Sequence, residues 1–148
     1  MPKEETLRRA REDEAEGKSP SVQAGEFVRE EIHHVREGKH GARSAKQAIA
    51  IGLSKARRSG VKLPQPDPDR TSASTRKKAK ADSEKGRRPH KTSRKRSHAT
   101  MGALKKEGRQ SASSKALSRQ AKSSASKRSK KERSSSARKA ARTRAARS

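Results

Sequence analysis

Ser44-Ala45-Lys46-Gln47-Ala48-Ile49-Ala50-Ile51-Gly52-Leu53-Ser54-Lys55-Ala56-Arg57-Arg58-Ser59-Gly60 is the stretch whose reading decides the fold. Ser44 is a good N-cap, and Gln47 three positions on completes a capping box. Ala45, Ala48, Ile49, Gly52, Leu53 and Ala56 recur at helical spacing and share one apolar face. Gly60 is a natural stop, and Pro64 prevents further helix. The small residues Ala48, Gly52 and Ala56 let a second helix approach closely. A helix over about 45–59 is the expectation.

Upstream, residues 21–37 read as its partner. Phe27, Val28, Ile32 and Val35 fall on one face at spacings of three and four. Glu26, Glu30 and Glu31 are placed early, where carboxylates favour the positive end of the helix dipole. Gly38 follows Arg36-Glu37 and can take the left-handed conformation that ends a helix. The link Gly38-Lys39-His40-Gly41-Ala42-Arg43 is short and polar, so the two helices read as a hairpin. The core is expected at Phe27, Val28, Ile32, Val35, Ile49, Leu53 and Ala56, with Val61 and Leu63 folding back over its open end.

The rest of the chain reads differently. Its 148 residues are 25% hydrophobic and 1% aromatic, well below a globular domain. Ten large apolar side chains lie between residues 22 and 63, and only Met101, Leu104 and Leu117 lie beyond. Too little apolar surface is left to offset the entropy of ordering. The expected fold is therefore mostly disordered, with a small all-α element (a two-helix hairpin, helices about 21–37 and 45–59) and a long basic tail. The expected organisation is a disordered mixed-charge leader at 1–20, a two-helix module at 21–63, and a disordered Lys/Arg/Ser/Ala-rich basic tail at 64–148.

The run from Arg43 to Gly60, with Lys39-His40-Gly41 ahead of it, resembles a signature of small uncharacterised basic bacterial proteins, the DUF6496-like group. The resemblance covers residues 26–64, departs at Lys55, and carries no catalytic residue. The tail resembles linker-histone and histone H1-like tails, in composition alone.

Charge sets the expected partner. The net charge is +26, from 42 basic and 16 acidic side chains. Residues 1–37 carry seven basic and ten acidic groups, 38–63 carry seven basic and none acidic, and 64–148 carry 28 basic and six acidic. Such polarity points to a polyanion. Candidate phosphate contacts are Lys39, Arg43 and Lys46 around the turn, and Arg57 and Arg58 at the far end of the second helix. In the tail they are Arg76-Lys77-Lys78, Arg87-Arg88, Arg94-Lys95-Arg96, Lys105-Lys106, Lys127-Arg128 and Lys130-Lys131. Base readout needs side chains held rigidly in a groove, so binding is expected to be largely sequence-independent. Phe27 is the sole Phe, Tyr or Trp, and single-strand binders use aromatic stacking, which tilts the expected partner toward duplex DNA or structured RNA, with duplex DNA favoured. The expected function is non-enzymatic DNA binding of a histone-like or nucleoid-associated kind. An RNA- or ribosome-associated role, and a protein-interaction module with an incidental tail, are the alternatives. Self-association is an open option for so small a core.

Other classes fall away. With no Cys there is no disulfide framework, thiolate site or Cys nucleophile. The stretch 38–46 misses the phosphate-loop pattern. His33, His34 and His40 lack the H-E-x-x-H arrangement, and adjacent histidines on a helix diverge, so no metal is expected. Nor is a catalytic residue, cofactor, small-molecule substrate or membrane partner. The N-terminus lacks an apolar run, so a cytoplasmic protein is expected, nucleoid-associated in a bacterium or nuclear in a eukaryote, and not secreted.

Overall fold

Helix α1 spans Glu4–Ala15, α2 Pro20–Arg36, α3 Ala45–Arg58, α4 Ala73–Arg87 and α5 Arg94–Lys105. A 3-10 turn at Gln110–Ala112 follows, then α6 at Ser114–Ser126 and α7 at Lys130–Arg147. These elements come from a computed structural model that describes residues 1–88 and 91–148. They fall into two compact units, Met1–Ser113 and Ser114–Ser148.

The pairing of α2 with α3 is the centre of the first unit. The two helices lie within a residue or two of the ranges the sequence implies. Their close approach is made at Gly52, where a Cβ would stand 2.6 Å from the Cα of Val28. Ser44 caps α3, its side chain accepting a hydrogen bond from the Gln47 amide at 3.1 Å. The Gln47 side chain accepts from the Arg43 amide at 2.6 Å, one residue before the cap, so the box closes one position early. Both helices end as expected. Gly38 has φ 75°, and the amides of Gly38 and Lys39 return to Val35 and His34. The same pattern recurs at Gly60, whose successor Val61 bonds back to Ala56. It is the helix-ending motif that satisfies two otherwise orphaned carbonyls.

Of the expected core, Phe27, Ile32, Val35 and Ala56 are buried, while Val28, Ile49 and Leu53 are partly covered. Phe27, Ala24, Ala56 and Ala10 make one cluster, with Leu7, Leu53, Val61 and Leu63 packed on its rim. Val61 and Leu63 therefore fold back as anticipated. Ala10 and Leu7 belong to α1, which packs on α2.

The expectation of a mostly disordered chain with an isolated two-helix hairpin is overturned. Seven α helices are present among the described residues, and these residues are all-α in both units. Helix α4 packs on α3, burying Ala79, and the 3-10 turn packs on α2 and α3, burying Ala112. The chain returns to the α2–α3 loop over residues 104–112. There the Gly41 and Ala42 amides donate to the Leu104 and Gly108 carbonyls at 2.8 and 3.1 Å, and Arg36 Nε donates to the Ala112 carbonyl at 2.8 Å.

The physical reason is local. Ala, Lys and Arg are strong helix formers whose side chains lose little freedom on a helix. The serines act as caps: Ser72 for α4, Ser93 for α5, and Ser129 for α7, where Glu132 completes a full capping box. Helices α5, α6 and α7 contain no buried residue, so a count of apolar surface is blind to them.

Candidate functional site

Acidic side chains are consumed near the N-terminus. Arg8 pairs with Glu12 at 2.6 Å, Arg9 with Glu26 at 3.7 Å, and Lys18 with Asp13 at 2.6 Å. Beyond residue 90 the sequence holds only Glu107 and Glu132 against twenty Lys and Arg. The cations of the later helices therefore have few carboxylates within the chain to meet.

Most of the basic candidates are exposed. Around the α2–α3 loop these are Lys39, Arg43 and Lys46. Lys39 Nζ lies 2.9 Å from Glu37 Oε2, which raises the lysine pKa and lowers that of the glutamate. Arg43 borders a shallow depression shared with Glu107, Gly108 and Arg109. Arg58 is exposed and stands 3.6 Å from Asp82. On α4, Lys77, Lys78 and Arg87 face outward with the following Arg88, while Arg76 is half-buried. On α5, Arg94, Lys95 and Arg96 occupy the first turn, and Lys105 and Lys106 close the helix, all exposed. In the second unit Lys127, Lys130 and Lys131 are exposed, and half-buried Arg128 donates to the Glu132 carbonyl and to Ser136 Oγ.

Arg57 departs from the expected set. It is buried at the end of α3, where Nη2 donates to the Pro64 carbonyl at 3.2 Å. The backbone of α4 closes over it at Gly86, and burial lowers its pKa while Asp82 opposes the shift. A guanidinium so placed is turned toward the chain leaving α3 and away from solvent.

The outward cations of α7 beyond Lys131 lie outside the set expected from sequence. At about 100° per residue, Arg133, Arg138, Lys139, Arg142, Arg144 and Arg147 point all round the helix axis together with Lys130 and Lys131. All eight are exposed. The alanine-rich spacing of residues 137–147 is the signal that could have found them.

A second constellation lies inside the first unit. Glu30 and Glu31 are not first-turn charges, because α2 begins at Pro20 and carries no acid in its first turn. They sit mid-helix and buried, with Glu31 wholly enclosed. The Glu31 carboxylate meets Lys55 of α3 through Oε1, and Oε2 lies 3.2 Å from Nε2 of buried His40. His34, one turn on, places Nδ1 3.4 Å from Glu31 Oε1 and Nε2 3.5 Å from Glu30 Oε1. Burial lowers the His34 pKa, with Lys55 and Lys39 acting in the same direction and Glu31 and Glu30 against it. His40 Nδ1 is 2.9 Å from the Gly41 carbonyl. His33 points to solvent, so the adjacent histidines do diverge. The loop nonetheless brings His40 back to His34, at a ring separation of 6.0 Å. The i,i+3 spacing of Glu31 and His34 is visible in the sequence, whereas the return of His40 is not.

Taken together, the chain is strongly basic and its described residues are all-α, with the first unit organised around the α2–α3 pair. Residues 21–66, which hold that pair and most of the buried cluster, match the model of a family of unknown function, DUF6496. No curated protein and no solved structure matches the chain. Among the described residues no helix is long and apolar enough to cross a membrane.

Proposed function

We propose that this chain is a non-enzymatic, largely sequence-independent DNA-binding protein of histone-like or nucleoid-associated type, acting by phosphate neutralisation. The carrying observation is the second unit. Residues 114–148 hold thirteen basic side chains and one acidic one, eleven of the basic ones on two helices that bury nothing. Side chains spread round an axis in this way serve neither a core nor a pocket. They do suit a ligand whose charge is repeated along its length.

Helix α5 adds to the reading. Three cations in its first turn oppose the helix dipole, a placement that costs rather than contributes stability. An anion at that turn would be favoured both by the cations and by the open amides. Duplex DNA is preferred to single strands as the ligand because the exposed helices offer Lys and Arg without stacking rings. Residues Lys39, Arg43 and Lys46 are read as a smaller contact on the first unit. The proposed setting is the nucleoid, or the nucleus in a eukaryotic host.

Anisotropy titrations of a labelled duplex with the full chain test this. One variant replaces Lys130, Lys131, Arg138, Lys139, Arg142 and Arg144 with Gln. The expected result is weaker binding to every duplex sequence alike, with the salt slope reduced by about one for each phosphate no longer neutralised. Unchanged affinity in the variant would refute the assignment of α7.

A further inference from the structure

We propose that Glu31, His34 and His40 form a binding site for a divalent metal ion of the zinc class. Two imidazole nitrogens and a carboxylate oxygen are a ligand set that zinc accepts, with a fourth position left for water. The three donor atoms lie within 4.8 Å of one another. Zinc bonds of about 2.0–2.2 Å in a tetrahedron set neighbouring donor atoms roughly 3.3 Å apart. Glu31 Oε2 and His40 Nε2 are already 3.2 Å apart. From the 4.8 Å limit, the His34 ring needs to close by at most about 1.5 Å to complete the set.

The second observation is an unmet bonding need. Glu31 Oε2 is buried and has no hydrogen-bond partner. The side chains of Glu31 and His40 are 1% and 4% exposed, so bulk water does not supply one. His40 Nδ1 is within hydrogen-bond distance of the Gly41 carbonyl. With its proton there, the lone pair of Nε2 faces Glu31 Oε2, and two acceptors confront each other. A shared cation resolves that confrontation. The backbone carbonyl behind His40 is also the usual outer partner of a metal-bound imidazole, fixing its tautomer and orientation. Lys55 occupies the other oxygen of Glu31, which leaves Oε2 to coordinate alone. A mixed nitrogen and oxygen set selects zinc-like ions over magnesium or calcium. Bound there, the ion ties the α2–α3 loop to α2, beneath exposed Lys39 and Arg43. The proposal does not rest on nucleic-acid binding, and its test contains none.

Zinc chloride is titrated calorimetrically into the full-length protein after chelator treatment, with magnesium chloride as the comparison. The expected result is one equivalent of zinc, a raised thermal midpoint and no magnesium uptake. His40→Ala should lower zinc affinity by more than the roughly 10–100-fold typical of losing an outer-shell partner. His33→Ala, at the exposed neighbour, should leave it unchanged. Far-UV circular dichroism of each metal-free variant checks that the helices persist, and the wild-type stoichiometry reads the site without any variant. Absence of stoichiometric zinc uptake at every pH up to about 8 overturns the proposal, and points to a proton shared between Glu31 and His40 in place of the ion. So does uptake that His33→Ala weakens as much as His40→Ala, which would mark loose surface histidines.

Discussion

Replacing Gly52 with Ala should destabilise the protein, although the same change usually strengthens a helix. Alanine gains about 0.5–1 kcal/mol over glycine inside a helix. At Gly52 the new methyl would lie 2.6 Å from Val28 Cα and 2.9 Å from its amide nitrogen. Carbon contacts are comfortable at about 3.5–4.0 Å, so α2 and α3 must separate by about 1 Å. Forcing extra volume into a packed contact costs about 1–3 kcal/mol, and it here falls on backbone, which cannot swing away as a side chain can. Gly25, on the facing helix, is the control. A Cβ there meets nothing within 4 Å, so Gly25→Ala carries the propensity gain alone. The propensity term cancels in the comparison, leaving the two variants about 1–3 kcal/mol apart with Gly25→Ala the more stable. Urea unfolding followed at about 222 nm measures the difference, best read from the midpoints at a common slope. Equal stabilisation by both substitutions would refute the close approach of α2 and α3 at Gly52.

Further outcomes follow from other contacts. Phe27→Ala removes the one aromatic side chain from the core cluster and should cost about 3–5 kcal/mol, measured in the same unfolding assay. That loss is a large part of the roughly 5–15 kcal/mol available to a domain of this size. Gly41→Val puts a side chain where the Glu107 carbonyl stands, so the return of residues 104–112 to the loop should loosen. Hydrogen exchange should then speed up at the Gly41 and Ala42 amides, and unchanged protection would count against that contact. Ser129→Ala removes the capping box of α7 and should fray its first turn by about 1 kcal/mol, seen as faster exchange at the Glu132 amide.

The α2–α3 pair is legible in the sequence because its signals are local and mutually consistent. Ser44, the apolar spacing of residues 45–56, Gly38 and Gly60 each point to the same boundaries. Helix α1 reads as a free leader because it joins the core through Ala10 and Leu7, too few apolar side chains to mark a packed face. The later helices escape for a different reason. A global count of apolar residues tests whether a core can form, whereas α5, α6 and α7 bury nothing and rest on helix propensity, with serine caps on α5 and α7. Among the site residues, exposure of the Lys and Arg clusters is readable from composition, and the burial of Arg57 is not. That burial depends on α4 crossing the end of α3. The Glu31 cluster is hidden because buried carboxylates are rare and sequence position alone suggests a solvated charge.

Neutralisation of phosphates by exposed cations is the central claim, and the salt dependence of duplex binding tests it most directly. Affinity of the full chain for a random-sequence duplex should fall linearly in log K against log salt. With six to ten phosphate contacts the loss between about 50 and 200 mM is about 10³–10⁵. A flat dependence, or no binding at about 50 mM, would contradict the account.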